Sequence, residues 1–104
     1  RWLLSEAPQG DVQVDPGAAE RLRRGGASLL PVGVVGADGT FERGAVVRIV
    51  CGGDAVAVGV SAYGADEVRA LAGARSAEIA ARLGYAAGDE VVHRDDLVLL
   101  SPGG

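Results

Sequence analysis

The chain has 104 residues, a formal net charge of −4 at pH 7, 48% hydrophobic residues and only 4% aromatic ones. This length supports one domain with a modest aliphatic core, and no apolar run approaches the ~20 residues of a membrane-spanning helix. The acidic balance excludes the basic footprint that nucleic-acid-binding domains usually show over their whole surface. The single cysteine cannot form an internal disulfide, which is typical of a cytoplasmic protein.

The first quarter of the chain predicts an irregular start, a short strand and a helix. Residues 1–10 are expected to be a linker, and Val12 and Val14 alternate with polar neighbours as in a short strand. Asp15 before Pro16 predicts a helix start, because the carboxylate accepts an unpaired N–H and proline at the first helical position sacrifices no hydrogen bond. Two consecutive glycines further on are expected to end this helix.

The middle of the chain predicts three strands. Residues 28–35 form an apolar run and predict a buried strand, in which Pro31 favours an edge or a bulge because it cannot donate to a sheet ladder. The Asp-Gly pair at 38–39 predicts a tight turn. Residues 45–50 and 55–63 flank a Cys-Gly-Gly-Asp turn and therefore predict a hairpin.

Small residues and short apolar stripes mark the rest of the chain. Along the second arm of the hairpin, one face is expected to hold Val56, Val58 and Val60, and the other Ala57, Gly59 and Ser61. The following residues predict a helix over 66–72, a second helix capped by Ser76 and ended by Gly84, strands over 90–93 and 97–100, and a disordered tail over 101–104. Short strands, small helices and many turns together predict a mixed, β-rich fold.

Several segments, in this order and spacing, resemble the PUA domain, a small pseudo-barrel named after pseudouridine synthases and archaeosine transglycosylases. They are SLLPVGVV at 28–35, FERG at 41–44, VVRIV at 46–50 and GDEVVHRDDLVLL at 88–100. More narrowly, RWL at 1–3, D-x-G-A at 15–18, SLLP at 28–31 and G-Y-x-x-G-D-E-V-V-H-R-D-x-L-V-L at 84–99 are similar to the C-terminal PUA domain of bacterial glutamate 5-kinases. The resemblance implies an α+β, mainly β fold over residues 11–100, a PUA-like pseudo-barrel of mixed strands with two or three short helices.

This resemblance implies that the chain is an accessory or regulatory domain, and that residues 1–10 link it to a missing N-terminal amino-acid-kinase domain. The parent enzyme would use ATP and Mg²⁺ to phosphorylate L-glutamate in proline biosynthesis, as an oligomer in the cytoplasm. The chain itself has no lysine and no G-x-x-x-x-G-K-[ST] loop, so we expect no catalytic, cofactor-binding or metal-binding residue in it. It departs from the family at 62–65, where AYGA replaces an Asn-Tyr-Ser-Ser-type segment and removes hydroxyls that could cap the next helix.

The best candidate site is a cluster of arginines followed by two glycines: Arg21, Arg23, Arg24, Gly25 and Gly26. Consecutive glycines let backbone N–H groups approach a phosphate, and arginine supplies bidentate contacts. In RNA-binding PUA domains the first helix and the loop after it belong to the recognition surface, so the resemblance places this segment there. The structural alternative is a helix C-terminus whose cations complement the helix dipole. Both interpretations stay open.

An RNA-binding module of an RNA-modifying enzyme is the alternative function that the resemblance implies. The arginine cluster favours it, whereas the acidic balance and the scarcity of rings for base stacking oppose it. Three phosphate contacts would give a log–log salt slope of only about −2 on a single strand. We therefore expect weak or no RNA binding, and no membrane association.

Three other reactive features favour structural roles. His93 is the only histidine, has no second histidine or cysteine near it in sequence, and is expected to be structural or exposed. Cys51 lies in a turn without an adjacent histidine or lysine to activate its thiol. Asp95 and Asp96 have the carboxylates that Mg²⁺ prefers, but acidic pairs in turns are usually solvated.

Overall fold

The fold is built on a five-stranded mixed sheet. In the computed structural model, which describes residues 7–85 and 88–100, the strands lie in the order β2-β1-β3-β4-β5. They are β1 (Gly10–Val14), β2 (Val34–Gly39), β3 (Val46–Cys51), β4 (Asp54–Val60) and β5 (Leu97–Leu99). β1 and β3 are parallel, and the other neighbouring pairs are antiparallel. Because β1 and β3 are parallel, a long crossover connection must join them, and it contains a helix and β2.

Short helices connect the strands. Within the described residues they are α1 (Pro16–Arg23), α2 (Ala65–Leu71) and α3 (Ile79–Leu83), with 3-10 segments at Pro31–Gly33, Ser76–Glu78 and Arg94–Asp96. α1 begins where the sequence predicts, because Asp15 Oδ1 accepts the Ala18 N–H at 2.7 Å and Pro16 takes the first helical position. The α+β, mainly β fold of mixed strands and short helices is therefore confirmed.

The main core is aliphatic, as the composition requires. Side chains from the sheet, the helices and the segment 91–92 pack together in it, and its largest fully buried members are Leu22, Leu29, Ile49, Leu71 and Ile79. Phe41 and Tyr63 also pack in this core with little exposure. Both rings are therefore used to fill the interior and are closed to a ligand.

The valines of β4 do not share one face as predicted. Val58 and Val60 belong to a small cluster on β3, β4 and β5, whereas Val56 packs in the main core. Ala55 and Ala57 pair with consecutive residues of β3, so Val56 is the extra residue of a β-bulge. A bulge shifts the alternation of faces by one residue, which pattern analysis of a single strand does not reveal.

The apolar run over 28–35 is not one strand. Leu29 forms an isolated antiparallel bridge with Val92, Pro31 begins a 3-10 turn, and β2 starts only after that turn. Proline has no N–H to donate to a ladder, so the run breaks where it lies. The strand predicted over 90–93 is likewise reduced to this bridge.

Two further predictions, a tight turn at 38–39 and a helix cap at Ser76, are also wrong. The Asp-Gly pair at 38–39 ends β2 and pairs with the start of β1. Ser76 does not cap a helix: it is the first residue of a 3-10 turn, and the side chain of Glu78 accepts the Arg75 N–H at 2.9 Å in its place. Gly84 does end α3 as predicted, in the left-handed conformation at φ 82°.

Two sequence predictions lie outside the described residues. These are the RWL segment at 1–3 and the tail over 101–104. The linker over 1–10 also stays a prediction, with β1 already beginning at Gly10. Among the described residues, no helix has both the length and the apolar character needed to cross a membrane.

Candidate anion-binding groove

A groove of about 520 Å³ lies between α1, the loop after it and the segment 90–94. Its near wall includes Ala18, Arg21 and Leu22, its floor Leu29, Leu30 and Gly33, and its far wall Glu90, His93 and Arg94. A side chain at Gly33 would close part of it, because a Cβ there would lie 2.6 Å from the Ala18 Cβ. The groove therefore depends on residues that are distant in sequence.

The near wall is held by the way α1 begins and ends. The Asp15 N–H donates to the Gly33 carbonyl at 3.0 Å, which ties the helix start to the floor of the groove. After the helix, Gly25 and Gly26 take left-handed conformations at φ 86° and 77°, and no atom of the described residues lies within 4 Å of where a Cβ would stand at either position. This turn leads the chain directly into the loop of the groove and leaves Arg21 exposed beside it.

The far wall is fixed to the loop by backbone hydrogen bonds. The Leu29 N–H donates to the Val92 carbonyl at 2.8 Å, and the Val91 N–H donates to the Leu29 carbonyl at 2.8 Å. The Arg94 N–H donates to Ser28 Oγ at 2.8 Å. These bonds join segments more than 60 residues apart and hold Arg94 at the rim of the groove.

Most arginines of the described chain are neutralised by a nearby carboxylate. The pairs are Arg24–Glu20 at 2.6 Å, Arg48–Asp11 at 2.9 Å, Arg69–Asp66 at 3.0 Å, Arg82–Glu78 at 3.8 Å and Arg43–Glu67. Over residues 7–85 and 88–100, no such partner is found for Arg21, Arg23, Arg75 and Arg94. Two of these four, Arg21 and Arg94, line the groove. The groove therefore presents cationic groups that the fold does not itself neutralise.

His93 has a structural role at the same rim. Its Nδ1 accepts the Asp95 N–H at 3.1 Å and so caps the 3-10 turn, as the sequence prediction of a structural role anticipates. Its Nε2 lies 3.7 Å from a carboxylate oxygen of Glu90. Glu90 thus brings one negative charge to a groove that is otherwise cationic.

Comparison with known proteins places the fold in a family. The family model for the PUA domain matches residues 10–83. The chain belongs to the PUA domain family. The glutamate 5-kinase of Deinococcus radiodurans is 48% identical over 101 residues, which are 96% of this chain and 28% of that protein. The glutamate 5-kinase of Geobacter sulfurreducens is 53% identical over 95 residues, 89% of this chain and 25% of that protein. The chain thus spans about a quarter of the length of these curated relatives.

Solved structures support the same assignment. A PUA domain from Aeropyrum pernix, crystallised as a tartrate complex, matches with a TM-score of 0.58 and 34% identity over 83% of this chain and 43% of that one. A chain of the archaeal box H/ACA sRNP Nop10-Cbf5 complex matches with a TM-score of 0.54 and 19% identity over 84% of this chain and 26% of that one. At that identity the second match shows the fold alone.

The groove of this PUA domain only partly coincides with the predicted arginine-glycine site. Arg21 and Gly26 line it, whereas Arg23, Arg24 and Gly25 do not. The guanidinium of Arg24 pairs with a carboxylate of its own helix instead. The far wall cannot be predicted from the sequence, because no local pattern links the loop at 26–30 to the segment at 90–94.

A second polar cluster of the PUA domain is held together by hydrogen bonds among its own members. Arg43 donates to Glu67 and to the Tyr85 hydroxyl, Tyr85 donates to Glu67, and Glu67 accepts the Gly64 N–H at 2.9 Å. The Arg43 hydrogen bonds lower the pKa of Glu67 to about 2, and the carboxylate of Glu67 raises the pKa of Tyr85. Because Gly64 offers no hydroxyl, Glu67 alone caps α2, in line with the departure from the family at 62–65. This cluster fastens the start of α2, and its carboxylate is already occupied by Arg43, Tyr85 and the Gly64 N–H.

The remaining reactive side chains do not converge on a site. Among the described residues, no group of three or more His, Cys, Asp or Glu side chains could hold a metal ion. Cys51 is a half-buried free thiol at the end of β3. Asp95 and Asp96 lie exposed in a 3-10 turn.

Proposed function

We propose that this chain is the accessory PUA domain of a glutamate 5-kinase and that its role there is regulatory. The observation that carries the proposal is the identity of 48% and 53% to two such kinases over 96% and 89% of the chain. Similarity of this extent covers a whole domain and not a single motif. A function shared with those kinases is therefore the simplest account of the sequence.

The rest of the polypeptide would carry the chemistry. A glutamate 5-kinase transfers a phosphoryl group from ATP, with Mg²⁺, to the side-chain carboxylate of L-glutamate, in the cytoplasm and as an early step of proline biosynthesis. This chain supplies no lysine for the ATP phosphates, which supports an indirect role. The domain would change the kinase by contact with it, most directly through the groove of Arg21 and Arg94.

The proposal is tested by the reading frame upstream of the chain and by the activity of the complete polypeptide. We expect an amino-acid-kinase domain immediately upstream, and release of ADP that depends on glutamate, ATP and Mg²⁺. The 104-residue chain alone should release none. An RNA-modifying domain upstream, or glutamate-dependent turnover by the chain alone, would refute the proposal.

RNA binding is the second candidate, and the two unpaired arginines of the groove favour it. Two or three phosphate contacts would give a log–log salt slope of about −1.4 to −2 on a single strand, which is too shallow for tight binding at physiological salt without stacking. A titration with single-stranded RNA at ~0.15 M salt tests this, with micromolar or weaker binding expected. Sub-micromolar, sequence-dependent affinity that Arg21→Ala and Arg94→Ala abolish would put RNA binding first.

A further inference from the structure

The groove combines two unpaired guanidinium groups with an apolar floor and one carboxylate. Arg21 and Arg94 line it without a carboxylate partner in the described part of the chain. Between them lie Leu29, which is fully buried, and Leu30, which is 42% exposed. Glu90 adds a negative charge on the far wall. Such a surface fits a ligand that presents one anionic group beside an apolar side chain.

A phosphate polymer fits this surface poorly. The chain carries a net charge of −4, so each further phosphate meets long-range repulsion, and Glu90 opposes it locally. No Phe, Tyr or Trp of the described residues lines the groove, and its one ring is the imidazole of His93. Phe41 and Tyr63 are buried in the core, and Tyr85 is held by Glu67. Bases therefore find only the imidazole of His93 here, and its Nδ1 already accepts the Asp95 N–H, so a short stretch of polypeptide is the better match.

We propose that the groove binds an extended acidic and apolar peptide segment from the rest of the same polypeptide, and so docks the PUA domain on its kinase. This rests on the proposed function, because it requires that polypeptide to exist. An Asp or Glu of the segment pairs with Arg21 and Arg94, and a neighbouring Leu, Ile or Val covers Leu30. About three quarters of the length of the relatives lies outside the region matched here, which leaves ample chain to supply the segment.

A weak site is sufficient for such a contact. Domains joined by a short flexible linker meet at an effective concentration in the millimolar range, so a site with a submillimolar dissociation constant is mostly occupied. An open groove with two exposed arginines is sufficient for a site of this affinity. Docking through a weak site also leaves the domain able to detach, which a regulatory contact requires.

The experiment measures binding of synthetic peptides to the 104-residue chain by NMR chemical-shift titration. Overlapping 15-residue peptides that tile the polypeptide encoded upstream are the probes, together with single-stranded RNA at the same salt concentration. We expect one acidic and apolar peptide to shift the amide signals of Ser28, Leu30 and Arg94. The double substitution Arg21→Ala and Arg94→Ala should weaken its binding about tenfold, since both charge contacts are lost.

Control variants distinguish the loss of charge contacts in the groove from a loss of folded structure. Arg75→Ala removes an equally unpaired, exposed arginine outside the groove and should change the affinity less than twofold. The double charge reversal Arg21→Glu and Arg94→Glu should bind a version of the peptide in which its acids are replaced by lysine. All variants should keep the melting temperature of the parent chain, because the substituted side chains are exposed.

Each other outcome is decisive. The docking proposal is wrong if no tiled peptide binds with a dissociation constant below 5 mM, or if binding survives loss of both arginines. In that case, glutamate-dependent activity of the complete polypeptide would still uphold the proposed function. Binding of the RNA at the groove more tightly than of every peptide would assign the site to nucleic acid. An upstream frame without a kinase domain would refute the proposed function and this inference with it.

Discussion

Replacing Gly59 by alanine tests the close approach on which the far wall of the groove depends. Gly59 lies in β4, and an added Cβ would lie 2.6 Å from Val92 Cγ1, 2.8 Å from the Asp96 carbonyl oxygen and 3.5 Å from Leu97 Cα. Two of these contacts are with backbone atoms, which cannot rotate away. Val92 is fully buried, so its methyl group has little room to move. The segment 92–97 must therefore shift outward to admit the methyl group.

The stability lost in Gly59→Ala follows from overpacking. Forcing an extra methylene-sized group into a packed interior destabilises a protein by about 1–3 kcal/mol, and the higher strand preference of alanine offsets roughly 0.5 kcal/mol. We expect a net loss of about 1–2 kcal/mol, which lowers the melting temperature by about 5–15 °C for a domain of this size. Urea unfolding should show a midpoint about 0.5–2 M lower at an unchanged slope.

Gly88→Ala is the matched control. Among the described residues no atom lies within 4 Å of a Cβ at that position, and its φ is not in the left-handed region, so its unfolding midpoint should barely change. In Gly59→Ala, amide signals of Leu29 and Arg94 should also shift, since the wall that carries them moves. Equal midpoints for Gly59→Ala and the parent chain would show that β4 and the segment 92–97 do not meet as described.

Three further substitutions test individual contacts. Asp15→Ala removes the cap on the Ala18 N–H and should cost about 1 kcal/mol in urea unfolding, whereas Asp15→Asn keeps an acceptor and should stay within about 0.5 kcal/mol; equal losses would contradict the capping role. The pKa of Glu67 is lowered from 4.5 to about 2 in the folded chain, so its charge stabilises the fold above pH 4.5 and this contribution is lost as the pH falls towards 2. Glu67→Gln should therefore lower the free energy of unfolding by about 1 kcal/mol at pH 7, a modest value because the partner Arg43 is exposed. The difference in unfolding free energy between this variant and the parent chain should disappear near pH 2, and a difference independent of pH would refute the role of Glu67. Gly64→Ser adds a hydroxyl at the start of α2, where φ is −71° and a Cβ meets only ordinary contacts, and should stabilise by about 0.5 kcal/mol relative to Gly64→Ala; no difference between the two would exclude hydroxyl capping.

Local signals in the sequence predict a large part of the fold. Asp15 and Pro16 mark the start of α1, and the glycines of the 51–54 turn mark the hairpin of β3 and β4, because capping and turn chemistry involve only neighbouring residues. The departure at 62–65 likewise anticipates a helix start without a hydroxyl. In each case the information lies within a few residues of the element that it predicts.

The errors arise where distant segments decide the structure. The run over 28–35 is hydrophobic enough for a strand, but Leu29 finds only Val92 as a bridge partner, and Pro31 prevents an extension. The bulge at Val56 depends on how β3 and β4 pair and not on the composition of β4. A sequence pattern records which residues are apolar but not which distant backbone they meet.

The same limit applies to the groove. The sequence identifies Arg21 as a candidate because it lies near Arg23, Arg24 and the two glycines. It does not distinguish paired from unpaired arginines, and the structure shows that Arg24 is neutralised by Glu20 while Arg21 is not. The sequence does not reveal Arg94 as a groove residue, because the hydrogen bonds that hold it there join it and its neighbours to Ser28 and Leu29, more than 60 residues earlier. Charge pairing and long-range contacts are properties of the fold.

The most direct test of the account compares the complete polypeptide, which the proposed function makes a glutamate 5-kinase, with a version that ends before this domain. Initial rates are measured while glutamate, free Mg²⁺ and proline, the end product of the pathway, are varied one at a time, with circular dichroism as a check that both proteins are folded. A regulatory domain predicts that the shortened kinase still phosphorylates glutamate, with a response to at least one of these three ligands changed severalfold. Identical responses of the two proteins, or complete loss of turnover by a folded shortened kinase, would contradict it.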